Sequence, residues 1–128
     1  MLDRISIAQK KVIRTITYKS KYSHTNDLFK SLGLLKLSDI NIYNNGIFVY
    51  KSLHNHSNAG LFTYHVNTRY NLRKVNLLEI PLLHTNQSQT SIRYQGVKVC
   101  NQIPPDIQNK PTTSSFKKSL KSLLLNKY

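Results

Sequence analysis

A chain of 128 residues holds one domain at most: it can bury a modest core but leaves no room for a large multidomain enzyme. Its 19 Lys and Arg against 5 Asp and Glu give a formal charge of +14 and a pI near 10.1. That excess favours a polyanion as partner, nucleic acid well ahead of an anionic membrane, because cations that neutralise phosphates release counterions, and the single cysteine, Cys100, excludes an internal disulfide and fits a reducing compartment.

At the N-terminus Leu2, Ile5, Val12, Ile13 and Ile16 recur on one helical face while Lys10, Lys11 and Arg14 share the other. The spacing predicts a helix from Leu2 to about Thr17 with a basic stripe, although any one lysine in such a stripe is ordinarily just solvated. Gln9 falls in the middle of the apolar face. An unpaired amide is costly there, so Gln9 is expected to meet a backbone group or a partner chain. The segment is basic and acid-poor like a mitochondrial transit peptide, but Asp3 and the scarcity of Arg argue against one. With no secretory segment and no apolar run long enough to span a bilayer, the expected location is cytoplasmic or nuclear, without membrane partners.

His24-Thr25-Asn26-Asp27 announces a second helix, with Thr25 or Asn26 as cap and Asp27 at the positive end of the helix dipole. Leu28, Phe29 and Leu32 would form its buried side, and Gly33 suits the left-handed position that ends it. His24 has no carboxylate or thiol at a catalytic spacing and reads as a helix-start histidine.

Residues 39–53 carry two signals. Ile40 and Ile42, then Asn45-Gly46, then Ile47 and Val49 alternate as a β-hairpin does. Against this, Ser38 can cap a helix in which Ile40, Tyr43, Ile47, Tyr50 and Leu53 fall at helical spacing, at a cost of about 1 kcal/mol for Gly46. The apolar stripe is longer than either hairpin arm, so a helix from Asp39 to Leu53 is expected.

Residues 54–60 read as a loop. His54 and His56 lack a third ligand at a recognised metal spacing, and surface histidines are the ordinary case. Between Leu61 and Lys74, Phe62, Tyr64 and Tyr70 are interleaved with Arg69 and Arg73, a mixture that suits phosphates and unstacked bases, though tyrosines packed on a core edge explain it equally well. A polar connection, 82–90, leads to a short β-prone run from Ser91 to Tyr94, then Gly96 and an Asn-Gln-Ile-Pro-Pro turn at Asn101–Pro105. The chain closes in its best-defined helix. Phe116, Leu120, Leu123 and Leu124 lie on one side, Lys117, Lys118 and Lys121 on the other, and a Thr-Thr-Ser-Ser run supplies capping hydroxyls. The fold class expected is mainly α: residues 1–128 as one small irregular helical domain with a loop-rich middle and at most one short β hairpin or strand.

The C-terminal order Ser91-Ile92-x-Tyr94-x-Gly96, Asn101-x-Ile103-Pro104-x-x-Ile107 and Phe116-Lys117-Lys118-x-Leu120-Lys121 resembles the last region of reverse transcriptases from non-LTR (LINE-type, jockey-like) retrotransposons. The resemblance extends upstream through Leu2, Ile5, Gln9, Lys10, Arg14 and Ile16, then His24-Thr25 with Leu28-Phe29, and Tyr70-Asn71-Leu72-Arg73 ahead of Leu78 and Pro81. One position departs: the family usually places Trp before the Asn, where this chain has Cys100. The resemblance implies a tail lying beyond the polymerase core, helping to hold template RNA or target DNA during target-primed reverse transcription; the alternatives are a structural module docking on that core, or a non-functional relic of a truncated element.

Catalytic signals are missing. Nucleotide polymerisation needs clustered carboxylates around two metal ions, and Asp3, Asp27, Asp39, Glu79 and Asp106 stand apart. The family's Asp-Asp motif is absent, as are a Gly-rich phosphate loop and any Ser-His-Asp or Cys-His spacing. The expectation is a non-catalytic fragment with no cofactor, metal or small-molecule substrate. It would contact RNA or DNA through Lys10, Lys11, Arg14, Arg69, Arg73, Lys117, Lys118 and Lys121.

Overall fold

The computed structural model describes residues 2–54, 62, 78 and 80–128. Seven helices appear among them, α1 (Leu2–Ile16), α2 (Asn26–Leu32), α3 (Leu37–His54), α4 (Asn86–Gln89), α5 (Ile92–Gln102), α6 (Pro105–Gln108) and α7 (Thr113–Leu125), and no strand or sheet. The mainly α expectation holds.

The centre of the fold is α3. It packs along α5 and α7 and touches α1, while α2 leans on α1 and α6 on α7. Tyr50 joins Leu35, Ile103, Phe116, Leu120 and Leu124 in one buried cluster; Val49 joins Phe62, Leu78, Val97 and Cys100 in another. Consecutive residues of α3 thus serve different cores, so its apolar positions spread around the helix instead of forming a single stripe. Ile40, which opens the predicted stripe, is exposed, and Val49, a hairpin-arm residue in the sequence reading, is fully buried.

Gly46 explains how the hairpin signal is overruled. A Cβ there would sit 2.9 Å from Leu120 Cδ2 and 3.3 Å from Ile103 Cδ1, so the glycine marks the crossing of α3 and α7, not a turn. Gly96 plays the same part between α5 and α3, where a Cβ would come within 2.9 Å of Val49 Cγ2. Close approach of two helix backbones repays the helix propensity each glycine gives up.

The β-prone run Ser91–Tyr94 is corrected by the structure: Ile92 begins α5, which continues to Gln102. Burial of Gly96, Val97 and Cys100 against α3 outweighs the local strand preference of Ile92 and Tyr94. The anticipated turn shrinks accordingly to Ile103 and Pro104, and Pro105 opens α6 at a position where a missing N–H costs nothing. The capping expectation holds in α7, where the Thr112 hydroxyl accepts from Ser115 N at 3.2 Å.

Helices α1 and α2 end in one and the same motif. Leu34 N donates to Phe29 O at 2.9 Å and Gly33 N to Lys30 O at 3.1 Å; likewise Lys19 N donates to Arg14 O at 2.9 Å and Tyr18 N to Thr15 O at 3.2 Å. The pivot residue is left-handed in both, Gly33 at φ 63° and Tyr18 at φ 53°. Only the first is a residue that adopts this conformation freely.

With no sheet, side-chain amides tie down the non-helical segments. Gln9 Nε2 donates to Leu35 O at 3.0 Å, and its Oε1 accepts from Leu37 N at 3.1 Å. The expectation that this amide finds a backbone partner is met twice over. Asn101 does the same to a single residue, accepting from Leu78 N at 2.9 Å and donating to Leu78 O at 3.1 Å. Gln108 Nε2 reaches both Cys100 O, at 2.6 Å, and Ile103 O, at 2.7 Å. Among the described residues no buried side-chain nitrogen or oxygen lacks a partner.

The apolar face of α1 is where expectation and structure part most clearly. Ile13 alone is buried, whereas Leu2, Ile5, Val12 and Ile16 are 70%, 48%, 55% and 57% exposed. The helix docks through one edge of that face, with Gln9 as its anchor. On α2, Phe29 is fully buried, Leu28 half-buried and Leu32 exposed, so the buried side is narrower than the spacing suggests.

Candidate nucleic-acid interface

Six of the expected basic residues fall into two groups on separate helices. On α1, Lys11 is exposed while Lys10 and Arg14 are half-buried. Arg14 has a structural task, its Nε donating to Ser23 O at 3.0 Å across the turn that follows α1. On α7, Lys118 and Lys121 are exposed and Lys117 is half-buried beside Phe116. The principal contacts of α1 are with α2 and α3 and those of α7 with α3 and α6, so the two groups are not packed on each other. Arg69 and Arg73 lie outside the described residues, as do Tyr64, Tyr70, His56 and His65.

Several lysines that the sequence reading passed over sit against aromatic rings. Lys21 Nζ lies 4.9 Å from the centroid of Tyr22, Lys98 Nζ 5.0 Å from Tyr94 and Lys36 Nζ 4.4 Å from Tyr128. Tyr18 and Tyr22 are almost wholly exposed on the turn after α1, next to Lys19 and Lys21. The adjacency of Tyr18-Lys19 and Lys21-Tyr22 was visible in the sequence, but only the fold distinguishes these surface rings from the buried Tyr50.

Tyr128 shows what the C-terminus does. Its hydroxyl donates to Asp39 Oδ2 at 2.6 Å and accepts from Lys36 N at 2.8 Å, and its ring meets Phe29 edge-on at 6.2 Å. It latches the end of α7 to the start of α3. Burial, and then the bond to Asp39, push its phenol up to about 12. Cys100 is a buried thiol raised by burial to about 11, far from the activated range of a nucleophile.

Among the described residues no group of three or more His, Cys, Asp or Glu gathers as a metal site would require. None of their helices is long and apolar enough to cross a membrane. Comparison with protein-family models, curated proteins and solved structures gives no match.

Proposed function

We propose that this chain is a non-catalytic, nucleic-acid-contacting tail of a non-LTR retrotransposon reverse transcriptase, acting in the cytoplasm or nucleus. The observation that carries the binding half of this reading is charge: +14 on 128 residues, with exposed lysines on α1 and α7 and no carboxylate in the α7 helix. Lys10, Lys11, Arg14, Arg69, Arg73, Lys117, Lys118 and Lys121 are the proposed phosphate contacts. Arg14 can serve only through guanidinium nitrogens other than the Nε that holds Ser23. The ancestral half rests on the ordered residue pattern, to which the fold adds a physical reason for two members: Gly96 permits the α5–α3 approach and Asn101 clamps Leu78.

A titration of labelled RNA and DNA against salt tests the binding. Affinity falls with a log–log slope of about 0.7 to 0.9 per phosphate neutralised, and each of Lys11, Lys118 and Lys121 changed to Ala lowers that slope. No detectable binding at low salt overturns the reading.

One observation favours a second reading, a structural module docked on the polymerase core of the parent polypeptide. The exposed aliphatic stripe of α1 is a face that water does not favour, of the kind that marks a protein contact. The discriminating variant is Ile5→Ser with Val12→Ser and Ile16→Ser: it leaves RNA affinity unchanged if the stripe serves only protein docking, and lowers it if the stripe contributes to nucleic-acid binding.

A further inference from the structure

The last turn of α3 carries a feature that neither reading uses. Tyr50 stacks on Phe116 of α7 with ring centroids 4.2 Å apart and planes inclined by 16°, and on His54 at 4.0 Å and 20°. Two rings cannot share one face of a phenol at those separations without colliding, so Tyr50 is the middle of a three-ring stack. The arrangement is pinned at both levels: the Tyr50 hydroxyl donates to Lys110 O, and His54 Nδ1 pairs with Tyr50 O at 3.0 Å. Phe116 and Tyr50 are buried and His54 is exposed. The stack therefore runs from the core to the surface and ends in an imidazole with one face covered by Tyr50.

Beside it opens a cavity of about 80 Å³, whose lining includes His54, Tyr50, Gln108 and Asn109 and, among the described residues, no acidic one. Residues that carry cations adjoin the stack along the chain. Lys51 lies one turn before His54 on the same side of α3 and is exposed; Lys110 is the residue bonded by Tyr50; Lys117 follows Phe116. An exposed aromatic ring held rigid by a stack on one side, with cationic residues adjoining it in the chain, is an arrangement on which an unstacked base settles, because every base has a π-face and the cations serve the phosphates on either side.

The geometry points to a stacking platform for one base of a single-stranded nucleic acid, with the base on the outer face of His54 and the amides of Gln108 and Asn109 at its edge. This inference rests on the nucleic-acid reading above and narrows it to single strands. Lys51, Lys110 and His54 join the contact residues, none of them among those the sequence singled out for binding.

The test compares three labelled probes of equal phosphate number on the full chain at low salt: a uridine 12-mer, the same backbone carrying abasic spacers, and a duplex. Wild type binds the base-bearing strand about five-fold or more tighter than the abasic one, as stacking of one base on a ring requires. His54→Ala abolishes that preference without changing the salt slope, and His54→Phe, which keeps a ring, retains it. Thermal unfolding of both variants checks that the exposed position leaves the fold intact. Equal binding of base-bearing and abasic strands, or a preference that survives His54→Ala, overturns the platform while leaving the electrostatic reading standing. Absence of binding to all three probes overturns both.

Discussion

Helices α7 and α1 look alike on a helical wheel: each sets aliphatic residues on one side and lysines on the other. In the fold they differ sharply. Phe116, Leu120 and Leu124 of α7 are buried against α3, whereas α1 buries Ile13 and leaves Leu2, Ile5, Val12 and Ile16 in water. The reason lies in the partner available. On α3, Gly46 removes the side chain that would keep α7 at a distance, so two backbones close on one another and the ridge of α7 fills the gap. Among the described residues no such glycine faces α1, which is held at its edge by the amide of Gln9 on the backbone of Leu35 and Leu37. Amphipathicity states that a face would gain from cover; whether the chain itself supplies the cover is a matter of packing.

That contrast can be broken most decisively at the core. Leu120→Ala should cost about 2 to 5 kcal/mol in a denaturant titration, a large fraction of the stability usual for one domain, while Ile5→Ala in α1 should stay within about 0.5 kcal/mol of wild type. Equal losses at both positions would show that α1 is covered in solution.

The two glycines sharpen the comparison next. Gly96→Ala should destabilise by about 1 to 3 kcal/mol, since its new Cβ meets Val49, a stiff β-branched side chain that is fully buried. Gly46→Ala meets the tip of Leu120, which has more freedom to turn, and in both variants about 1 kcal/mol of recovered helix propensity offsets part of the strain. A smaller loss for Gly46→Ala than for Gly96→Ala is the expected order.

The attachment of α1 is examined through Gln9→Leu, which strands Leu35 O and Leu37 N and should cost about 1 to 3 kcal/mol. Hydrogen exchange should show α1 losing protection while α7 keeps it. If both helices respond together, α1 is part of the main cooperative unit after all.

Alkaline pH probes the latch between α7 and α3. The Tyr128 phenol is raised in the fold from 10.0 to about 12, so the folded chain keeps a proton that the unfolded chain releases. Its contribution is complete below pH 10 and lost as the pH rises towards 12. Cys100, raised from 9.0 to about 11, acts in the same direction over the window from 9 to 11. The stability gap between wild type and Tyr128→Phe should therefore narrow above pH 10. A small gain is expected at Tyr18: replacing it by Gly relieves a left-handed tyrosine that makes almost no buried contact, and should raise stability by about 0.5 to 1 kcal/mol.

Cys100 connects the core to the residue pattern. It lies in the Val49 cluster and lines the cavity beside Tyr50 and Phe116. Under the proposed ancestry a Trp would stand at this position, whereas this chain has a small side chain lining the cavity. Cys100→Trp should raise the unfolding midpoint if that space accepts the indole, and a lower midpoint would mean that the crossing of α3 and α5 has closed around the smaller residue.

The sequence by itself determined the helices with one strong apolar side and a capping signal: the spacing of Phe116, Leu120 and Leu124, the hydroxyl run ahead of them, and Gly33 at the end of α2; it also favoured a helix over residues 39–53, although the buried residues there serve two cores and not one stripe. It also showed that Gln9 needed a partner, because a polar group on an apolar face is costly wherever it finds itself. Only the tertiary structure decided what those features were for. It turned the β-prone start at Ser91 into α5, because burial of Val97 and Cys100 against α3 outweighs a local preference of a few tenths of a kcal/mol per residue, about the scale of such propensities. It made Gly46 and Gly96 crossing points, which no local pattern encodes since the atoms they accommodate are dozens of residues away. It set His54 at the surface end of a stack on Tyr50, a pair whose i, i+4 spacing was legible but whose third ring, Phe116, comes from the far end of the chain. And it left the aliphatic side of α1 in solvent, because amphipathicity belongs to one helix whereas burial belongs to two surfaces.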